Sequence, residues 1–255
     1  MKDTKQVTVA LGDKSITFET GLLARQAGGS VTVTQGETIL FSAATMASTV
    51  REGIDYFPLQ VEYREKFYAS GQYPGGFFKR EARPSEKEVL TARFTDRPLR
   101  PLFPDGLRNE VQVLNTLLSA DGVHETDFLS VVAASAALHI SEIPFMGPIA
   151  AVRVGRVDGR LIINPTHEER LKGDLDLLYS GTQERFLMME GGANEISEED
   201  FLAAMKFGHE AVVAIIAIQH ELRAKLGLAE KRIVDGDPCD PALLAAARTL
   251  VGGAL

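Results

Sequence analysis

The stretch GGFFKREARPSEKEVLTARFTDRPLRPLFPDG, residues 75 to 106, combines two adjacent phenylalanines with a high density of arginine and lysine. The chain around it is acidic, with a formal net charge of -8 over 255 residues. Residues 77 to 108 hold eight cationic and five acidic side chains, so this segment carries +3 and the remainder about -11. Such polarisation favours binding of a polyanion at one local face, since the acidic remainder repels it.

A helix is predicted inside this stretch. Ser85 and Glu88 fit a capping box, and Pro98 predicts a helix end at about Arg97. Arginines 93 and 97 lie four residues apart on one helical face, and Arg100 follows about one turn later beyond the predicted bend. Because the planar guanidinium matches phosphate oxygens, these three arginines predict a phosphodiester-binding surface.

Phe77 and Phe78 follow two glycines in a segment with weak helix and strand signals, which predicts an exposed loop tip. Aromatic rings beside Lys79 and Arg80 suit single-stranded nucleic acid, because bases stack on the rings while cations follow the backbone. Two other interpretations remain open at this point. The phenylalanines could anchor the loop in the core, and Asp96 with Arg100 could form an ordinary surface ion pair.

Elsewhere the sequence predicts short strands with glycine-containing turns and a few helices between them, without strict βαβ alternation. This order predicts a layered α+β domain. A change of composition predicts a domain boundary between about 210 and 240. The short Ala/Leu helix predicted in PALLAAARTLVGGAL cannot bury its own apolar face, so we expect it to be the beginning of a further helical unit.

Composition narrows the class of protein. With 45% hydrophobic residues the chain can form a sizeable core, and no run approaches the roughly 18 unbroken apolar residues of a membrane span. We therefore expect a cytoplasmic protein with no membrane partner. The single cysteine, Cys239, predicts neither a disulfide nor a metal site. The five histidines show no metal-ligand spacing, so no metal ligands are predicted.

FFKREARPSEKEVLTARFTDRPLRPLFPDG resembles the first RNase PH-like domain of the polynucleotide phosphorylase (polyribonucleotide nucleotidyltransferase) family. The segments IPFMGPIAAVRVGRVDGRLIINPT, DLDLLYSGT and GANEISEEDFLAAMKFGHEA resemble the same family in the same order. The resemblance covers nearly all of residues 5 to 215. This chain has Lys79 and Ala82 where the family usually has arginine and glycine, and lysine keeps the charge but loses the guanidinium fork.

The resemblance implies an RNase PH-like (ribosomal protein S5 domain 2-like) fold over residues 1–215, followed by the start of an all-helical linker over residues 216–255. It implies a homotrimeric exoribonuclease that degrades mRNA from the 3' end with inorganic phosphate and magnesium, together with partners in RNA-degradation complexes. In that picture a constriction grips single-stranded RNA and arginines hold its phosphates further along. The implied RNA-binding residues are Phe77, Phe78, Lys79, Arg80, Arg83, Arg93, Arg97 and Arg100.

The catalytic centre of that family belongs mainly to its second RNase PH-like domain, with a Gly-Ser-Ser loop and paired aspartates. At the comparable place this chain reads SADGVHETDFLS, without the serine pair, so no catalytic residue is predicted. Asp174 and Asp176 are the nearest match to the aspartates. Their alternate positions at the mouth of a strand, with no phosphate-binding loop beside them, favour a structural role.

Three functional hypotheses remain. The chain is the RNA-gripping N-terminal part of a phosphorolytic exoribonuclease, with weak or no activity and no bound cofactor by itself. Alternatively it is a noncatalytic RNA-binding or assembly module. The third hypothesis, a self-sufficient RNase PH-like nuclease, is disfavoured by the missing serines.

Overall fold

The computed structural model describes residues 4–77, 79–81, 83–228, 230–233 and 240–252. Phe78, Ala82 and Cys239 lie outside the described residues, so the predictions made for them stay predictions. Within the described residues, two sheets and five α-helices form an α+β architecture, as the order of elements predicted.

The first sheet has six strands in the order β1-β2-β3-β4-β6-β5. Adjacent strands in this sheet are antiparallel, except for β5 and β6, which are parallel. Buried and more exposed residues alternate along the first strands, as expected for a sheet with one face on the core. The strands are β1 (Lys5–Leu11), β2 (Lys14–Thr20), β3 (Gly29–Gln35), β4 (Thr38–Met46), β5 (Leu59–Glu65) and β6 (Val111–Ser119).

The second sheet is antiparallel, with four strands in the order β10-β9-β7-β8. Asp158 and Gly159 both take positive φ, at 50° and 75°, and form a two-residue hairpin turn of the kind that an Asp-Gly pair favours. The strands are β7 (Ala150–Val157), β8 (Arg160–Ile163), β9 (Leu175–Gly181) and β10 (Phe186–Ala193).

Helix α2 (Asp127–His139) lies between the sheets, in contact with β3, β4 and β6 on one side and β7 on the other. Every residue from Phe128 to His139 is buried. Its alanines and serines allow close approach: a Cβ added to Gly29 of β3 would lie 2.1 Å from the Ala137 carbonyl oxygen. This helix is therefore packed densely against the first sheet.

Helix α1 (Glu86–Leu99) packs on β5 and α2, so it covers the edge strand of the first sheet. The predicted helix end was wrong by two residues, because Pro98 lies inside α1 and a 3-10 turn (Arg100–Leu102) follows directly. A proline in the last turn removes one backbone donor, and Pro98 and Leu99 are both buried. The free energy gained by burying these two side chains offsets the bias against helical backbone in the residue before a proline.

The remaining helices are α3 (His167–Lys172), α4 (Glu198–Leu226) and α5 (Pro241–Val251). Helix α4 is long enough for a membrane span, and 18 consecutive residues of it reach a mean hydropathy of 1.7, but the helix packs along β7, β9 and β1. A Cβ on Gly208 would lie 2.9 Å from a Val154 methyl group, and buried Gln219 donates to the Ile149 carbonyl at 2.8 Å. The predicted boundary at residue 215 falls within α4 and stays a prediction.

Candidate nucleic-acid interface

A groove of about 580 Å³ runs between α1 and β5. Residues from one face of α1 form one wall, and the edge strand β5 forms the other. The three arginines that the sequence placed on one surface, Arg93, Arg97 and Arg100, all line this groove. The structure therefore brings these three candidate residues together.

The start of α1 fixes this groove through its capping box. Ser85 Oγ accepts from the Glu88 N–H at 3.2 Å, and Glu88 Oε2 accepts from the Ser85 N–H at 2.6 Å. The second carboxylate oxygen, Oε1, accepts from the Glu65 N–H at the end of β5 at 2.9 Å. Although burial favours the neutral acid, these N–H donors lower the pKa of Glu88. One side chain thus begins the helix and ties it to the strand.

The cations in the groove have two different environments. Arg100 forms a bidentate pair with Asp96, at 3.0 and 2.6 Å, and donates to the carbonyls of Phe57 and Leu59 at 3.3 and 3.2 Å. The surface ion pair between Asp96 and Arg100, left open by the sequence, is present. Arg93 and Arg97 are exposed, and neither forms an ion pair with any described residue.

The loop before α1 carries the other candidate residues. Phe77 is 94% exposed, so the interpretation of this ring as a core anchor is wrong. The Lys79 N–H donates to the Gly76 carbonyl at 3.0 Å, closing a turn in which Lys79 takes φ 50°. Lys79, Arg80 and Arg83 are exposed, and within the described ranges no carboxylate pairs with them. The loop therefore presents the Phe77 ring and three cations to solvent.

Sequence reasoning missed Glu81, which joins the two ends of this loop. Its carboxylate contacts Lys66 and the backbone of Phe67, at the beginning of the loop. A glutamate directly after two cations has no pattern that predicts this contact, because its partners lie 15 and 14 residues earlier.

A second cleft, of about 550 Å³, lies between α1 and strands β9 and β10 and contains a network of ion pairs. Asp176 pairs with Arg153 at 2.5 Å and with Arg170 at 2.7 Å. Arg170 also pairs with Glu125 at 2.6 Å, and Arg153 pairs with Asp127. Burial favours neutral Asp176, yet the two arginines hold its pKa below the usual range.

These ion pairs occupy the carboxylates that matched the family's aspartates. Asp174 forms a bidentate pair with Arg156 at 2.8 and 2.7 Å, and this pairing lowers its pKa. No group of three or more potential ligands for a metal gathers among the described residues. Asp174 and Asp176 therefore do not fit a divalent cation, because each of these two carboxylates is already paired with a guanidinium.

Family comparisons place the chain in a known group. Residues 12–144 match the 3' exoribonuclease family, domain 1, and residues 147–211 match domain 2 of the same family. The chain belongs to the 3' exoribonuclease family. Its fold agrees with this family: the crystal structure of rice (Oryza sativa) Rrp46 superposes with a TM-score of 0.64 at 15% identity, over 87% of this chain and 95% of that chain. The predicted RNase PH-like fold is confirmed.

Curated relatives of this chain carry the name polyribonucleotide nucleotidyltransferase. One from Methylacidiphilum infernorum is 52% identical over 88% of this chain and 32% of its own length. Another from Bdellovibrio bacteriovorus is 48% identical over 98% of this chain and 36% of its own length. The resemblance seen in the sequence is confirmed, and the chain spans about a third of the length of these relatives.

Proposed function

We propose that this chain is the RNA-gripping N-terminal part of a polyribonucleotide nucleotidyltransferase. In this proposal the loop around Phe77 holds single-stranded RNA, and Arg93 and Arg97 receive its phosphates in the groove between α1 and β5. The observation that carries the proposal is the exposed Phe77 ring among cations that have no acidic partner in the described ranges.

Each part of this surface supplies one component of single-strand binding. A base stacked on an aromatic ring contributes about 1 to 3 kcal/mol and requires no particular sequence. Guanidinium groups neutralise phosphates and release counterions, which makes binding strongly dependent on salt. Arg100, pinned by Asp96 and two carbonyls, serves chiefly to shape the groove and contributes less to phosphate binding.

The proposed reaction of the full protein transfers the terminal nucleotide of RNA to inorganic phosphate. A phosphate oxygen forms a bond to the 3'-terminal phosphorus, the bond to the preceding ribose O3' breaks, and a nucleoside diphosphate leaves. Magnesium and phosphate belong to that reaction, and the ion-paired carboxylates of the second cleft do not fit them. We therefore assign this chain RNA binding, and expect it to have little or no phosphorolytic activity by itself.

The same proposal covers the cellular setting: a cytoplasmic homotrimer that takes part in mRNA degradation with partners in RNA-degradation complexes. A noncatalytic RNA-binding or assembly module is the alternative. The carboxylates Asp174 and Asp176 favour it, since both acids that match the family's aspartates are already paired with arginines.

A tryptophan reporter tests the RNA grip directly, because the chain contains no tryptophan. In a Phe77→Trp variant we expect single-stranded oligoadenylate to quench the fluorescence of the new indole by stacking on it. Phe186→Trp is the matched control, since Phe186 is 52% exposed on β10 in the other sheet. Equal responses at both positions, or none at Phe77→Trp, would contradict the proposed grip.

Catalysis is tested separately with poly(A), phosphate and magnesium. We expect the 255-residue chain to release ADP no faster than a phosphate-free control. Substantial phosphate-dependent release of ADP would show that the chain carries its own catalytic centre.

A further inference from the structure

The RNA-facing loop leaves β5 and returns to α1, and a single carboxylate joins its two ends. Glu81 Oε1 accepts from the Phe67 N–H at 2.9 Å, and Glu81 Oε2 pairs with Lys66 Nζ at 2.5 Å. The interaction with Lys66 lowers the pKa of Glu81 most, and the hydrogen bond from the Phe67 N–H lowers it further. Glu81 is therefore ionised at neutral pH. The enclosed segment, 67–80, contains Phe77, Lys79 and Arg80.

The outgoing end of the loop is itself anchored to the fold. Phe67 and its neighbours form a 3-10 turn (Phe67–Ser70), and the Ala120 N–H donates to the Ala69 carbonyl at 2.9 Å. The Glu65 N–H, just before the loop, is held by Glu88 of α1 at 2.9 Å. Glu81 therefore attaches the returning end of the loop to a fixed point and does not merely join two mobile segments.

General electrostatics would disfavour an acid at this position. Glu81 follows two cations that we assign to RNA, and a carboxylate beside a polyanion weakens its binding. Its two-sided contact with Lys66 and Phe67 supplies the opposite effect, because a loop held in its binding conformation loses less conformational entropy when the ligand binds. The two effects have opposite signs, so they can be separated by experiment.

We propose that Glu81 is a positioning residue: it closes the base of the 66–81 loop and thereby holds Phe77 and the adjacent cations in place to receive single-stranded RNA. The RNA component of this inference rests on the proposed function. The closure of the loop by Glu81 is independent of it and has its own readout.

The test uses the full 255-residue chain in the Phe77→Trp background and compares Glu81→Ala with Glu86→Ala. Glu86 is an exposed residue of the first turn of α1, and within the described residues it makes no side-chain hydrogen bond or ion pair. Both variants lose one negative charge near the loop, but only Glu81→Ala opens the base. Without RNA, we expect the fluorescence anisotropy of the indole to fall in Glu81→Ala and to stay unchanged in Glu86→Ala.

With oligoadenylate, we expect Glu81→Ala to bind about 2- to 10-fold more weakly, the range expected from losing the preorganisation of one or two side chains. Glu86→Ala should bind as well as the parent or slightly better. Glu81→Gln keeps an oxygen that accepts from Phe67 but loses the charge, so partial recovery of both anisotropy and affinity is expected. This recovery would not occur if the acid acted only through its charge.

The outcomes separate the two ideas. Unchanged anisotropy in Glu81→Ala, or RNA binding that tightens as in Glu86→Ala, would overturn the positioning role. A parent reporter that RNA fails to quench would overturn the proposed function and the RNA component of this inference, while the anisotropy comparison still decides whether Glu81 closes the loop. If Glu81→Ala does not fold, Glu81→Gln, which loses the ion pair with Lys66, is compared with Glu86→Gln. A smaller fall in anisotropy is then expected in Glu81→Gln alone, and its absence would overturn the positioning role.

Discussion

Arg97 and Arg100 lie on the same wall of the groove, yet the structure predicts different consequences when each is replaced by glutamine. Arg97 is exposed and has no acidic partner in the described part of the chain. Arg100 is engaged with Asp96 and with two backbone carbonyls. Arg97→Gln should therefore mainly affect RNA binding, and Arg100→Gln should mainly affect stability.

The magnitudes follow from these contacts. One lost phosphate contact with single-stranded RNA lowers the slope of log K against log salt by about 0.7. On going from about 50 mM to about 200 mM salt, the parent should then lose about 2- to 3-fold more affinity than Arg97→Gln. Arg100→Gln should lower the free energy of unfolding by about 1 kcal/mol, a discounted value because its side chain is 44% exposed.

The assay is oligoadenylate binding at several salt concentrations, with thermal unfolding of each variant measured in parallel. Glu198→Lys, which changes charge at the start of α4, is the control and should alter neither the slope nor RNA affinity. Equal slope changes for Arg97→Gln and Arg100→Gln would refute the distinction drawn from their partners. An unchanged slope for Arg97→Gln would refute the assignment of Arg97 to RNA.

Three further predictions concern the loop and the core. Lys79→Gly removes a side chain from a residue at φ 50°; it should stabilise the turn by up to about 1 kcal/mol while weakening RNA binding, as shown by urea unfolding and RNA titration. Gly29→Ala would place a Cβ 2.1 Å from the Ala137 carbonyl oxygen and should destabilise the chain by about 1 to 3 kcal/mol or more in urea unfolding. Burial and the neighbouring His220 lower the pKa of His139 to about 3 from 6.5, and Lys231 and Arg223 act in the same direction. The unfolded chain then binds more protons between these pH values, so stability falls as pH drops from about 6.5 toward 3. Acid unfolding of His139→Leu should show a smaller loss over this range, and a loss equal to that of the parent would contradict the buried neutral imidazole.

Features set by neighbouring residues could be predicted from the sequence. The capping box of Ser85 and Glu88 and the hairpin turn at Asp158-Gly159 depend on local hydrogen bonds and on backbone preferences of a few residues. The helix end at Arg97 was wrong for a related reason. The bias against helix before Pro98 is local, but the burial of Pro98 and Leu99 against the fold is not.

The ionic cleft could not be predicted, because its partners are distant in the sequence. Arg153 pairs with Asp127 and Asp176, which are 26 and 23 residues away in opposite directions. Only the docking of α2 beside the second sheet brings these charges together. A sequence pattern can identify Asp174 and Asp176 as candidates, but it cannot show that arginines already neutralise them.

Pairing therefore identifies the binding surface better than net charge does. The +3 of residues 77 to 108 includes Lys87, which pairs with Glu65 and Glu125, and Arg100, which pairs with Asp96. It also includes the negative charge of Glu81, which is compensated by Lys66 from outside the segment. A cation already paired with a carboxylate must give up that contact to bind a phosphate, whereas an unpaired cation gives up only water. Among the cations of this segment that pair with no described carboxylate, the loop and the groove hold Lys79, Arg80, Arg83, Arg93 and Arg97. Charge reversal at these positions should therefore cost more RNA affinity than the same reversal at Lys87.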